Sequence, residues 1–125
     1  MVDKMAEVFS RVNDAVKTLC GSVSQTYQER PENLPHVFVD MTDNAVMVTD
    51  MENAECAVMA TIEITAYTKQ NLVSAKEILG MADSEMHRMD FQRICGPKQV
   101  TGTEYADVTR VMARYQRLIA DGDVL

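Results

Sequence analysis

The sequence predicts an α+β domain. An antiparallel or mixed β-sheet carries two amphipathic helices on one face, in the order αβββαββ. Three patterns support this. From Cys56 to Tyr67 the even positions Cys56, Val58, Ala60, Ile62, Ile64 and Ala66 are apolar, while the odd positions include Met59, Thr61, Glu63, Thr65 and Tyr67. Period two with β-branched residues marks a strand buried on one face. Directly after it, Leu72, Ala75, Leu79, Ala82, Met86 and Met89 recur at spacings of 3, 4, 3, 4 and 3. Val2, Met5, Phe9, Val12, Val16 and Leu19 repeat the same spacing near the N-terminus. Each series is one stripe of an α-helix docked on a common surface. Separating helices from strands in this order favours a layered α+β domain over a parallel α/β sheet.

Taken in order, the first helix is expected from about Asp3 to Leu19, with Asp3 and Glu7 near its start and Lys17 near its end, as the macrodipole favours. Gly21 is placed to end it in a left-handed conformation. Gly21 to Leu34 reads as a long connection with little to bury. Pro35 to Met41 is a short strand, Thr42-Asp43-Asn44 has turn chemistry, and Ala45 to Thr49 returns as a second strand. Asp50 to Asn53 makes the next turn, into the long strand Cys56 to Tyr67. Asn71 can cap the second helix, and Asp90 suits a left-handed stop after Met89. Phe91 to Cys95 opens a fourth strand, Gly96 to Thr103 reads as a hairpin connection, and Ala106 to Leu118 closes the sheet. On that last strand Val111, Ala113 and Tyr115 point one way, and Arg110, Met112, Arg114 and Gln116 the other.

At 125 residues, with 46% hydrophobic and 25% charged residues, the chain is sized for one domain with its own core. No apolar run approaches the ~20 residues of a membrane span. The N-terminus has acids and no apolar h-region, so no signal peptide is expected and the expected setting is a cytoplasm. Three widely spaced cysteines (Cys20, Cys56, Cys95) form no CxxC pair and read as reduced thiols. The net charge of −7 is concentrated in one segment. Between Pro31 and Thr68 there is no Lys or Arg, but there are seven acids: Glu32, Asp40, Asp43, Asp50, Glu52, Glu55 and Glu63. The acids and bases outside it balance. Such a surface disfavours gripping nucleic acid through phosphates.

The residues offer little for catalysis. His36 and His87 lie on separate elements with no metal-ligand spacing and read as surface or edge residues. Asp83 and Glu85 read as helix-surface acids. No GxSxG, Walker A or GxGxxG string occurs, and no cofactor is expected. The ten methionines are the unusual signal. Most read as core filling, but Met59 and Met112 fall opposite the predicted core. A sheet with helices on one face leaves the other to solvent or a partner. Met59, Glu63 and Tyr67, with Arg110, Met112 and Arg114 on the closing strand, form the candidate subunit surface. Asp40, Asp43, Asp50, Glu52 and Glu55 form a candidate acidic lumen or partner segment.

Several strings carry a resemblance. Leu34 to Val39, Asp43-Asn44, Ile62 to Thr68, the Lys76 to Met89 helix running into Phe91-Gln92-Arg93, and Asp107 to Tyr115 resemble, in order, the tail terminator (tail completion) proteins of long-tailed bacteriophages and prophages. The strand–helix unit and the closing strand are the most specific parts. The last residues depart from the aromatic or basic ending of some members. The resemblance implies a non-enzymatic protein that forms a hexameric ring on a finished tail tube. That ring stops tube polymerisation and supplies the surface that joins the head. The implied partners are further copies of itself, the tail tube protein and a head completion or connector protein. DNA would pass through without specific binding, and no membrane is involved. The implied place is the neck end of the virion tail, and the host cytoplasm during assembly. Another head–tail connector or neck protein is the nearest alternative. A small α+β enzyme or ligand-binding domain is a more distant one.

Overall fold

The computed structural model describes residues 1–25, 34–52, 55–69, 72–100 and 108–125. It contains α1 (Met5–Val16), β1 (Ser22–Ser24), β2 (His36–Thr49), β3 (Glu55–Thr68), α2 (Leu72–Arg88), β4 (Gln92–Gln99) and β5 (Thr109–Ala120). The five strands form one mixed sheet in the order β1-β2-β3-β5-β4. β1 runs parallel to β2, and every other pair is antiparallel.

The even face of β3 builds the core. Ile62 lies opposite Met41 of β2 and Tyr115 of β5, and Ile64 lies opposite Val39 and Ala113. These positions join Val8, Val12 and Val16 of α1 and Ala75, Leu79, Ala82 and Met86 of α2 in one buried cluster. Both helices therefore cover the same face, with α2 across β3, β5 and β4 and α1 beside α2.

The helix ends follow their sequences unequally. Asp3 Oδ1 accepts the Met5 N–H at 2.9 Å, meeting one of the first-turn donors. α1 stops at Val16, whose carbonyl accepts the N–H groups of both Leu19 and Cys20. Leu19 therefore leaves the stripe and is half exposed, and Gly21 does not take a left-handed φ. Asp90 does, at φ 63°. Phe91 N–H reaches back to Met86 O and Asp90 N–H to His87 O, while the Met86 and Phe91 side chains are both buried. That is a Schellman motif with aspartate where glycine is commoner. The Asn71 cap lies outside the described residues.

The three strands before α2 divide differently from the sequence expectation. Ser22–Ser24, read as loop, pairs with His36–Phe38. The predicted turn at Thr42–Asn44 is instead an irregularity within one continuous strand: the register passes from Met41 opposite Ile62 to Asp43 opposite Thr61. The extra residue is absorbed as a bulge, which kinks a strand without ending it. Asp43 Oδ1 accepts the Asn44 N–H at 2.8 Å, and Asn44 Nδ2 donates to Val2 O at 2.7 Å, tying the N-terminal segment to the strand.

β4 also outruns its expectation, continuing through Gly96 and Pro97 to Gln99. Gly96 sits at φ +86°, and a Cβ there would lie 2.4 Å from the Met112 carbonyl oxygen. Only glycine lets the two backbones approach so closely at that φ. The connection expected at residues 101–103 lies outside the described residues.

Candidate interaction surface

The second face of the sheet is organised in rows that run across β2, β3 and β5. In the first row His36, Tyr67 and Arg110 are register partners. The His36 and Tyr67 rings are tilted at 55° with centroids 5.8 Å apart. The Arg110 guanidinium carbon lies 5.5 Å from the Tyr67 centroid, within cation–π range. The second row is Phe38, Thr65 and Met112; the third is Asp40, Glu63 and Arg114. In the third, Arg114 NH2 donates to Glu63 Oε2 at 3.0 Å and Nε reaches the same oxygen at 3.3 Å.

Of the six candidate subunit-contact residues, Tyr67 and Met112 are 2% and 5% exposed. The sequence reading made both part of an open surface, and this is a correction. Glu63 and Arg114 neutralise each other within the chain, and Arg110 covers the Tyr67 ring. Met59 is half buried, and Leu118 opposite it is half exposed. These side chains lie together on the second face as expected, yet most serve the sheet itself.

Two polar residues read as surface groups, His36 and Glu85, are internal, and a third, Asp83, is half buried. His36 is buried, with Nδ1 2.6 Å from Ser22 Oγ and Nε2 2.9 Å from Ser24 Oγ. One nitrogen donates and the other accepts, so the neutral ring is satisfied. Burial holds its pKa below the ordinary histidine value. Glu85 on α2 faces α1, where Arg11 Nε and NH2 each lie 2.7 Å from Oε1, and Arg88 NH1 donates to Oε2 at 2.8 Å. Burial alone would raise its pKa, but the hydrogen bonds and charges of Arg88 and Arg11 outweigh it and hold the carboxyl below its ordinary value. Asp83 Oδ1 accepts the Tyr115 hydroxyl at 2.7 Å and an Arg93 N–H at 3.3 Å. Burial, together with the Asp83 carboxylate, keeps Tyr115 a protonated donor. Each of these groups already has a partner within the chain. Among the described residues, no group of three or more His, Cys, Asp or Glu is placed to hold a metal ion.

The open surface lies elsewhere. β1 flanks β2 only as far as Phe38, so beyond it the outer edge of β2 has no neighbouring strand among the described residues. Along this stretch Val46, Met47 and Val48 are 47%, 55% and 51% exposed, and Met51 in the following turn is fully exposed. Three consecutive apolar residues in a strand must present a hydrophobe on both faces, because side chains alternate. The signal for this in the sequence is the unbroken run Val46-Met47-Val48, which departs from period two.

Of the candidate acidic segment, Asp40 is half buried beside Glu63, while Asp43, Asp50 and Glu52 are exposed on this edge and its turn. Asp50 Oδ1 accepts the Glu52 N–H at 2.8 Å. The Glu55 side chain lies outside the described residues.

At the opposite edge, β4 exposes Arg93, Ile94 and Lys98. Arg93 and Lys76 of α2 line one small cleft together with Asp83 and Pro97. The two sheet edges thus differ in sign: one acidic and apolar, the other basic with a single exposed isoleucine. No helix among the described residues is long and apolar enough to cross a membrane. No protein-family model matches the chain, and no curated protein matches it.

Proposed function

We infer that this chain is a structural assembly subunit, a phage tail terminator. In this reading it forms a ring on the finished tail tube, stops tube polymerisation and presents the surface that joins the head. The observation that carries the reading is the outer half of β2, an exposed apolar strand edge in an acidic setting. A contiguous exposed hydrophobic run on a strand edge is a protein–protein surface or an aggregation hazard. Pairing of Glu63, Glu85 and Asp83 with basic or hydroxyl partners within the chain gives them structural work.

The ordered sequence resemblance supports this choice of assembly, and the charge distribution is compatible with it. Asp50 and Glu52 are exposed beyond the end of β2, and lining a passage with such acids would let DNA slide past without being held. The subunit works at the neck end of the tail and touches further copies of itself, the tube protein and a head-completion protein.

Electron microscopy of a phage lysate lacking the protein tests this reading. Overlong or headless tails support a terminator. Tails of normal length with leaking heads replace that reading with a connector or neck role. Native mass spectrometry of the purified chain with tail tubes should show a closed ring, and a strict monomer under those conditions would sink the reading.

A further inference from the structure

We propose that copies of this chain join head to tail, the outer β2 edge of one seating on the β4 edge of the next. The inference rests on the ring reading and identifies its contact surfaces. Closed rings of identical subunits need two different complementary patches on each copy. The second face of the sheet does not provide such a pair, because Arg114 is already bonded to Glu63 and Arg110 lies over Tyr67.

The two edges do provide it. β2 and β4 lie toward opposite sides of the five-strand sheet, so a contact between them propagates from copy to copy. The β2 edge combines Met47 and Val48 with Asp43, and no Lys or Arg occurs between Pro31 and Thr68. The β4 edge combines Ile94, 51% exposed, with Lys98 and has no acid of its own from Gln92 to Gln99, while Arg93 is already bonded to Asp83. Apolar residues meet at the centre and opposite charges flank them, the usual layout of a specific interface.

The contact is made by side chains rather than by a continued β-ladder. Pro97 lacks an N–H, and β4 is irregular between Arg93 and Cys95 and between Cys95 and Lys98. Those features block indiscriminate strand addition at that edge while leaving Ile94 and Lys98 available.

Two double variants test the assignment, one per edge: Met47→Gln with Val48→Gln, and Ile94→Gln with Lys98→Gln. All four side chains are exposed, so the circular dichroism spectrum and thermal midpoint should match the parent. Sedimentation velocity should show the parent as a ring and each variant as a monomer at the same concentration. An equimolar mixture should give a 1:1 pair and nothing larger, since each partner keeps one working edge. A β4 variant that still assembles like the parent, or a mixture that stays monomeric, overturns the edge assignment while leaving the ring intact. A parent that remains monomeric even with tail tubes overturns the ring reading itself, and this inference with it.

Discussion

The first and second halves of β2 share one strand and one partner, yet they are used in opposite ways. From His36 to Met41 the strand is flanked by β1, its Val37 and Val39 side chains are fully buried, and its histidine is held between two serines. From Thr42 to Thr49 it still pairs with β3, but every residue except Asn44 and Ala45 is exposed. α2 lies over β3, β5 and β4 rather than over β2, so the helix layer leaves the outer half of β2 uncovered. The first half contributes to the core; the second stays exposed.

Substitutions should separate the two halves. The largest effect belongs to the covered side: Ile64→Ala, opposite Val39 at a fully buried site, should lower unfolding free energy by about 2–5 kcal/mol in a denaturant titration.

Next comes the clamp between the helices that do the covering. Glu85→Ala leaves Arg11 and Arg88 without their shared carboxylate and should cost about 1.5–3 kcal/mol. Its pH signature follows from the lowered folded pKa. The stabilisation is complete above the ordinary glutamate value of 4.5 and disappears as pH falls through the lower folded value. Urea midpoints of parent and variant should therefore converge in strong acid and differ most near neutrality.

Smaller again, Arg114→Ala should cost about 0.5–1 kcal/mol, since the ion pair is partly exposed. Its loss also leaves Asp40 and Glu63 directly opposed across β2 and β3, like charges that cross-strand pairing disfavours. On the outer half, Met47→Lys should shift stability by no more than about 0.5 kcal/mol. A large loss there would mean that the exposed edge is packed after all, and the contrast between the halves would fail.

Much of the fold was legible because hydrophobic period reports directly on burial. The even face of β3, the α2 stripe and the Asp90 stop all read correctly from residue spacing. The errors share one cause: local chemistry was read without its tertiary partners. Thr42-Asp43-Asn44 has turn residues, but continuous pairing with β3 turned them into a bulge. Glu85 and Asp83 looked like solvated acids because Arg11 and Tyr115 lie 74 and 32 residues away in sequence. Tyr67 and Met112 were placed on the correct face, but face alone does not say whether it is open. The exposed edge carries its signal in Val46-Met47-Val48, a run that no single buried face can accommodate.

The isolation of that edge has a dynamic consequence. Amides in a strand flanked on both sides open only with the domain, whereas an outermost strand opens by local excursions of much lower free energy. Backbone protons from Val46 to Thr49 should therefore exchange with deuterium well before those of Ile62 to Ala66. Closure of a ring over the edge would slow them selectively, giving each subunit a built-in reporter of whether its neighbour has arrived.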